Sequence, residues 1–465
     1  MNRRLIVSSL LGSALAAAQP APELSNGGAP QPPADPAAPA VLAPAPPPTS
    51  TLVEALAAPT GDPVGALEPK TSGSKDGFLL EASDGHSKLT VGGIAQVDGR
   101  FFVSDDNNVE PDQFLLRSLR FDLRGTLYDH FDFRFMPDFA GSKILVQDAY
   151  VDVRYSDVLK LRFGKFKVPF GIERLQSEGM TIFAERGLPN QIAPNRDVGV
   201  ERCGELGEGT LSYQIGIVNG VADGSLNDGD ATDDKELAAR FFVRPFATTG
   251  PTFLTNLGFG AAATFGDKQA NLTQPDVPVW KTSGQTTIFQ FRAGTTLADT
   301  VVADGRHDRV TAQGYWFVDR LGVIADYVRS AQEVVLGGNH VRVSSDAWEA
   351  VAQVLLTDDD ATYNSVTPKH PFDPKTGAVG AFDVKARIGE LRTVNGSVFA
   401  NYADPTRSAR RAWSGGVGVD WWANRSFRAL LDVERTWFTG GAKAAGAVTD
   451  RIAETSLIGR IQLVF

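Results

Sequence analysis

From residue 76 onward, apolar and charged residues alternate with a period of two, segment after segment. "SLRFDLRGTL" (118–127) sets Leu119, Phe121, Leu123 and Leu127 against Arg120, Asp122, Arg124 and Thr126. "FDFRF" (131–135) sets Phe131, Phe133 and Phe135 against Asp132 and Arg134, and "LKLRF" (159–163) sets Leu159, Leu161 and Phe163 against Lys160 and Arg162. The pattern returns late in the chain, in "AFDVKARI" (381–388) and "FRALLDVE" (427–434). Successive side chains of an extended chain point to opposite faces, so each segment is a strand with one apolar and one charged face. Two surroundings suit such strands: the core and water of a soluble sandwich, or the lipid and polar lumen of a membrane barrel. Past the extreme N-terminus, no apolar run is long enough for a spanning helix.

The connections favour the barrel. Most tight turns, at 128–130, 156–158, 318–320 and 423–425, alternate with longer connections, as short periplasmic turns alternate with long extracellular loops. Aromatic residues gather near strand ends (Tyr128, Tyr155, Trp413, Trp421, Trp422, Trp437), where interface girdles form. The expected fold is an all-β, transmembrane antiparallel β-barrel over 76–465. Its sixteen strands lie near 88–102, 114–127, 131–138, 144–155, 159–165, 197–205, 209–219, 236–246, 256–266, 309–318, 321–331, 343–356, 380–390, 412–422, 426–437 and 454–465. Two segments strain this count. The connection 357–379 is long for the periplasmic side. "TIFQFRAG" (287–294) also reads as a strand, and parity places it in an extracellular excursion.

The rest of the chain bounds the setting. Residues 1–18 read as a secretory signal: Arg3 and Arg4, a short apolar core, then Ala16-Ala17-Ala18. Residues 19–75, with "APQPPADPAAPAVLAPAPPPTS" at 29–50, are rich in Pro and Ala and read as a disordered periplasmic linker. A net charge of −10 argues against nucleic acid, and the single Cys203 excludes an internal disulfide. The chain ends on "RIQLVF", another alternating strand. That strand must close against the first, since an open edge in lipid would leave backbone groups unpaired; a terminal aromatic strand also resembles the recognition signal of outer-membrane proteins, which makes Phe465 the candidate assembly signal.

Residues 148–224 carry "DAYVDVRY", "LKLRFGKFKVPFGIERLQS", "FAERGLPNQIAPNRDVGVE" and "YQIGIVNGVADG" in order, followed by "VVADGRHDR" (301–309) and "DDATYNSVTPKHPFDP" (359–374). This ordered set resembles the phosphate-selective porins O and P of Gram-negative outer membranes. The resemblance implies a sixteen-stranded barrel, usually a homotrimer, with its third extracellular loop folded into the pore. It also implies conduction of phosphate or polyphosphate along a lumen lined with Arg and Lys, and insertion by the barrel assembly machinery into lipid and lipopolysaccharide.

The residues suggest where anions pass. The connection 165–196 is too long for a hairpin, and such loops are usually functional. It carries Lys165, Lys167, Arg174, Arg186 and Arg196, the candidate anion-binding constriction, against Glu173, Glu178 and Glu185. Lys165 and Lys167 are the stronger candidates because no acid lies between them; pairing within the loop, for example Glu178 with Arg174, is the alternative. The charged strand faces supply a candidate lumen ladder: Arg120, Arg124, Arg134, Arg154, Lys160, Arg162, Arg240, Arg244, Lys385 and Arg387, with Arg428 and Arg460 beside them. Asp122, Asp132, Asp152, Asp383 and Asp432 share those faces, so cross-strand pairs would leave a mixed, weakly selective wall. The acidic stretch 223–236 lacks EF-hand spacing and reads as a solvated loop. No nucleophile–base motif, metal site or cofactor site is expected. The leading function is a diffusion channel favouring small anions, phosphate or polyphosphate. A weakly selective general porin, a barrel-embedded enzyme and an envelope tether remain as alternatives.

Overall fold

Each alternating segment forms a strand, and among the described residues sixteen strands pair antiparallel in chain order. The computed structural model describes residues 70–74, 77–103, 110–226, 228–229, 233–393, 399, 401–444 and 447–465. The expected signal and nearly all of the expected linker lie outside these residues. The barrel strands are Lys88–Phe102, Gln113–Leu127, Phe131–Asp138, Leu145–Ser156, Leu159–Lys167, Arg196–Leu206, Leu211–Val218, Glu236–Val243, Leu257–Gln269, Val302–Val318, Leu321–Leu336, Asn339–Leu355, Ala381–Thr393, Ala409–Trp422, Phe427–Ala444 and Glu454–Val464. The last closes on the first, from Ser456 opposite Phe102 to Val464 opposite Ile94. Every strand therefore has two neighbours and no ladder edge meets lipid. A hairpin of Lys70–Ser74 and Gly77–Glu81 extends the first strand's sheet at its start, so the last residues of the expected linker are strand.

Several strands run past their expected ends on the long-loop side, as with Val302–Val318 against 309–318 and Phe427–Ala444 against 426–437. There the outward face turns polar, so the alternation fades while the ladder continues. The turn after Leu127 is type I′: Tyr128 and Asp129 have φ of 50° and 63°, the twist that matches a tight hairpin. On the opposite side, Gly337 and Gly338 (φ 56° and 81°) make a two-residue turn where a long loop was expected; the left-handed backbone suits glycine.

The two faces separate as the alternation requires. Outward lie Phe121 (50% exposed), Phe163 (44%), Phe241 (50%) and Val417 (60%), while inward Arg120, Asp122, Asp152, Lys385 and Arg460 are buried. One bulge changes the parity. Gln96 faces Ser118 and Val97 faces Leu116, so Arg117 is the extra residue. Leu116 and Leu119 both stay outside, and Arg117 and Ser118 are both freed to turn inward.

The two segments that strained the count both lie outside the sixteen-stranded sheet. Thr287–Gln290 pairs with Val279–Lys281 in a separate two-stranded sheet, with Trp280 stacked on Phe289 at 4.4 Å. Its turn reaches the inner wall: Ser283 Oγ donates to Glu434 at 2.5 Å and Thr282 Oγ1 to Glu454 at 2.7 Å. The connection 356–380 also turns inward. Tyr363 stacks on Tyr315 at 4.9 Å and its hydroxyl donates to the Ile172 carbonyl at 2.7 Å.

Candidate functional site

Residues 168–195 lie against the inner wall, and the wall's cations hold them there. A buried loop carries carbonyls that need donors. Arg428 donates to the Thr181 and Ile182 carbonyls at 2.7 and 2.5 Å, and Lys385 to Ile182 at 2.7 Å. Arg387 donates to Glu185 O at 2.7 Å, Arg460 to Ala184 O at 2.6 Å, and Gln462 to Gly179 O at 2.9 Å. Two of the loop's acids turn toward the first two strands, while Glu173 accepts from Gly187 N and Asn190 Nδ2 within the loop. Glu178 pairs with Arg117 at 3.0 Å and Arg120 at 2.5 Å, and Glu185 with Arg117 at 2.7 Å, Arg100 at 2.6 Å and Arg460 at 3.3 Å. Burial alone would raise the Glu185 carboxyl, but Arg117, Arg100 and Arg460 pull it down to about 2. Burial opposes Glu178 in the same way, and Arg117 and Arg120 hold it well below the usual range.

Between this loop and the other half of the wall lies a cavity of about 590 Å³. The loop contributes Leu175, Ser177, Glu178, Gly179 and Met180, and the inward 356–380 connection contributes Asn364, Ser365 and Thr367. The wall contributes the charge. Seven cationic side chains (Arg120, Arg124, Arg134, Arg162, Lys167, Arg196, Arg425) line the cavity against three acidic ones (Asp122, Asp148, Glu178), so its surface is net positive. Three of these arginines are held by wall carboxylates: Arg134 by Asp122 at 2.7 Å with Asp148 at 3.5 Å, Arg162 by Asp152 at 2.7 Å with Glu201 at 3.7 Å, and Arg196 by Asp148 at 2.8 Å. Arg162 also lies flat on the Tyr150 ring, 4.1 Å from its centroid. A guanidinium fixed at one edge still presents further N–H donors.

Three cations at the loop's root donate to backbone carbonyls instead. Lys167 reaches Leu175 O at 3.2 Å and Gln176 O at 2.6 Å; Arg186 reaches Glu173 O at 3.1 Å and Gln176 O at 2.9 Å; Arg174 reaches Asn190 O. Burial, with Arg186 and Arg196 adding like charge, pushes Arg174 down to about 9, and burial lowers Arg186 too. Guanidinium keeps its proton in proteins, so these shifts express mainly the cost of burying two charged groups behind the loop.

The chain matches the family described as phosphate-selective porin O and P over residues 90–465. It belongs to that porin family. Similar solved structures include the outer membrane channel DcaP of Acinetobacter baumannii (TM-score 0.53, 12% identity, 82% of this chain and 97% of that chain covered). OmpT, an outer membrane protein of Vibrio cholerae, is another (TM-score 0.50, 12% identity, 82% and 98% covered). At such identities the likeness is one of fold. No curated protein matches the chain in sequence. The porin is an anion channel of a Gram-negative outer membrane.

The porin's candidate residues divide into three groups. Arg120, Arg124, Arg134, Arg162, Lys167 and Arg196 meet at the cavity, with Arg174 and Arg186 packed in the adjoining loop. Lys385, Arg387, Arg428 and Arg460 are buried under the loop as its hydrogen-bond donors. Elsewhere on the wall are Arg154 (2.7 Å from Asp132), Arg240 (4.7 Å from the Phe242 ring), Arg244 (3.2 Å from Gly209 O) and half-buried Lys160. Lys165 pairs with Asp228, an acid remote in sequence, so it lacks the isolation its neighbours suggested. Glu178 pairs with Arg117 and Arg120, not Arg174, because the loop's cations are engaged by its own carbonyls. The acidic stretch is only partly solvated: buried Asp223 and Glu236 hold Arg309 at 2.6 and 2.8 Å, and Asp230 lies outside the described residues. Sequence reasoning did not single out Arg100 or Arg117. Two signals did point to Asn364, Ser365 and Thr367: the anomalous length of 357–379 and the family-like stretch 359–374 within it.

Proposed function

We propose that this porin favours phosphate and short polyphosphates, which pass through the cavity between residues 175–180 and the arginine wall. The excess of cationic side chains on that cavity carries the reading. Planar guanidinium forks can take two phosphate oxygens at once, whereas chloride uses only their charge. Because carboxylates already hold these guanidiniums, two each at Arg134 and Arg162 and one at Arg196, no single site holds an anion tightly, and an ion moves on from fork to fork. Lys167, Arg174 and Arg186 add potential at the loop's root, and Arg120 and Arg124 continue the path along the wall. The same pairs favour one rival reading, a weakly selective channel in which carboxylates neutralise the wall. We further propose export by the 1–18 signal, insertion by the barrel assembly machinery with Phe465 as its mark, and a homotrimer. The test is planar-bilayer recording in a chloride gradient with phosphate added. The expected result is an anion-selective reversal potential and a chloride current reduced by millimolar phosphate. A current indifferent to phosphate sinks the phosphate reading, and a reversal potential near zero favours the weakly selective one.

A further inference from the structure

Five neighbouring strands present an ordered set of rows on their outward face. Residues directly opposite one another in an antiparallel ladder share a face. One such row is Tyr327, Trp348, Glu390, Trp413 and Trp437. Two residues farther toward the long-loop side is a second: Arg329, Asp346, Arg392 and Arg411. Toward the short-turn side the outward residues are apolar, including Ile388, Val417, Val419 and Leu431, until the aromatic cluster of Phe382, Trp421 and Phe372; the exception is Arg435, one step below Trp437, whose guanidinium lies over that ring at 5.5 Å.

These rows fix the membrane's height. From Phe382 to Glu390 along one strand spans about 27 Å at ~3.4 Å per residue. Tilted by ~40°, that is about 21 Å along the membrane normal, close to the ~25 Å apolar band of outer-membrane barrels. The two aromatic rows are then the two interfaces. The arginine row stands about 5 Å beyond the upper one, at headgroup level. Its sidedness follows from the loops, since the long ones are extracellular.

The row shows cation to the outside. Arg392 and Arg411 are 56% and 52% exposed, while the carboxylates that hold them, Asp346 and Glu390, are 8% and 11% exposed. Each contact uses Nε, at 2.7 and 2.6 Å. A guanidinium has five N–H donors, so each fork keeps donors for a partner outside the barrel. Arg329 is exposed in the same row, and Arg410 is exposed beside Arg411 where the ladder shifts register.

We propose that this outward arginine row is a binding site for the phosphorylated sugar headgroup of an outer-leaflet glycolipid of the lipid A type. Arg392 and Arg411 grip the phosphate, and the acyl chains lie on the apolar face below the tryptophans. Charge complementarity and height together select this occupant: a phosphate at the outer interface meets the forks while its chains meet Ile388 and Val417.

The test uses the full chain in detergent and measures binding of bisphosphorylated lipid A, fully dephosphorylated lipid A, and phosphatidylglycerol vesicles. In wild type, bisphosphorylated lipid A is expected to bind tightest of the three. Arg392→Gln/Arg411→Gln is expected to weaken that binding at least about tenfold, through loss of charge-assisted hydrogen bonds. Single-channel conductance, which reports the folded pore, stays unchanged. The single variant Arg411→Lys, which keeps the charge and loses the fork, is expected to fall between. Unchanged binding in the double variant overturns the proposal. So does equal affinity for phosphatidylglycerol, which would mean generic attraction, or a change in oligomeric state in place of lipid loss, which would make this face a contact between copies of the chain.

Discussion

Lys165 and Lys167 are two residues apart on one strand face, yet their surroundings give them different work. Lys165 meets a carboxylate, Asp228, whereas Lys167 donates to the Leu175 and Gln176 carbonyls and lines the cavity. A unit charge ~8 Å from an ion's path contributes about 2 kcal/mol at an effective dielectric of ~20. Lys167→Gln, which keeps a donor for the carbonyls, is therefore expected to lower the anion-to-cation permeability ratio roughly thirtyfold. Lys165→Gln removes a charge that is already paired and is expected to change the ratio less than about twofold. Reversal potentials of the two variants in the same salt gradient check this, and equal effects would show that pairing with Asp228 does not set what the ion feels. The sequence shows both lysines but not the difference between them, because Asp228 is a partner from a distant loop.

At the scale of elements, the inward loop owes its position to charges on both of its faces. Its carbonyls take Lys385, Arg387, Arg428 and Arg460, and its Glu178 and Glu185 take Arg100, Arg117 and Arg120. Glycine allows the closest approach: a Cβ on Gly187 would lie 1.4 Å from a Glu349 carboxylate oxygen that the loop itself covers. The pinning has a pH signature. Glu185 has an ordinary value of 4.5 and is held at about 2, so its ionised form favours the docked loop. That contribution is complete above about pH 4.5 and is lost as pH falls through about 2. Conductance and open-channel noise are expected to be flat from pH 7 to about 4 and to rise only nearer pH 2. Glu185→Gln is expected to show the larger, noisier conductance already at neutral pH, since it strands buried cations at a cost of roughly 3–5 kcal/mol. A quiet, wild-type conductance in that variant would mean that the carbonyl contacts alone hold the loop. This element was legible in the sequence by its length and charge. Its pairings were not: Arg117 reaches Glu178 and Glu185 through a bulge, and a period-two reading passes over the residue that breaks the period.

For the molecule as a whole, the strands were the most legible part, because a lipid face and a polar face impose the period on every one of them. Net charge was the least informative. The chain carries −10 while the cavity is net positive, since acids such as Asp326, Glu349 and Glu434 lie on the wall outside it. Closure ties these parts together, and Phe465 extends the closing ladder by one further exchange. Phe465 exchanges backbone hydrogen bonds with Gly93, at 2.8 Å to its carbonyl and 3.1 Å from its N–H. Its ring packs edge-on to Phe78 at 6.1 Å. The ring also fills the space over Gly93, where an added Cβ would come within 2.8 Å of it and 2.9 Å of the Arg120 carbonyl. The two backbone bonds contribute about 1 kcal/mol each, and more where lipid offers no replacement partner. Deleting Phe465 removes bonds and ring together, Phe465→Ala removes the ring alone, and Gly93→Ala displaces it. Folded barrel in the outer membrane, read as the heat-modifiable fraction, is expected to fall in the order wild type, Phe465→Ala, deletion, with Gly93→Ala near Phe465→Ala. If the ring acts only as a mark for assembly and not as a closing contact, Gly93→Ala will insert at wild-type levels while Phe465→Ala fails. That outcome would separate recognition of the terminal residue from the packing that seals the barrel.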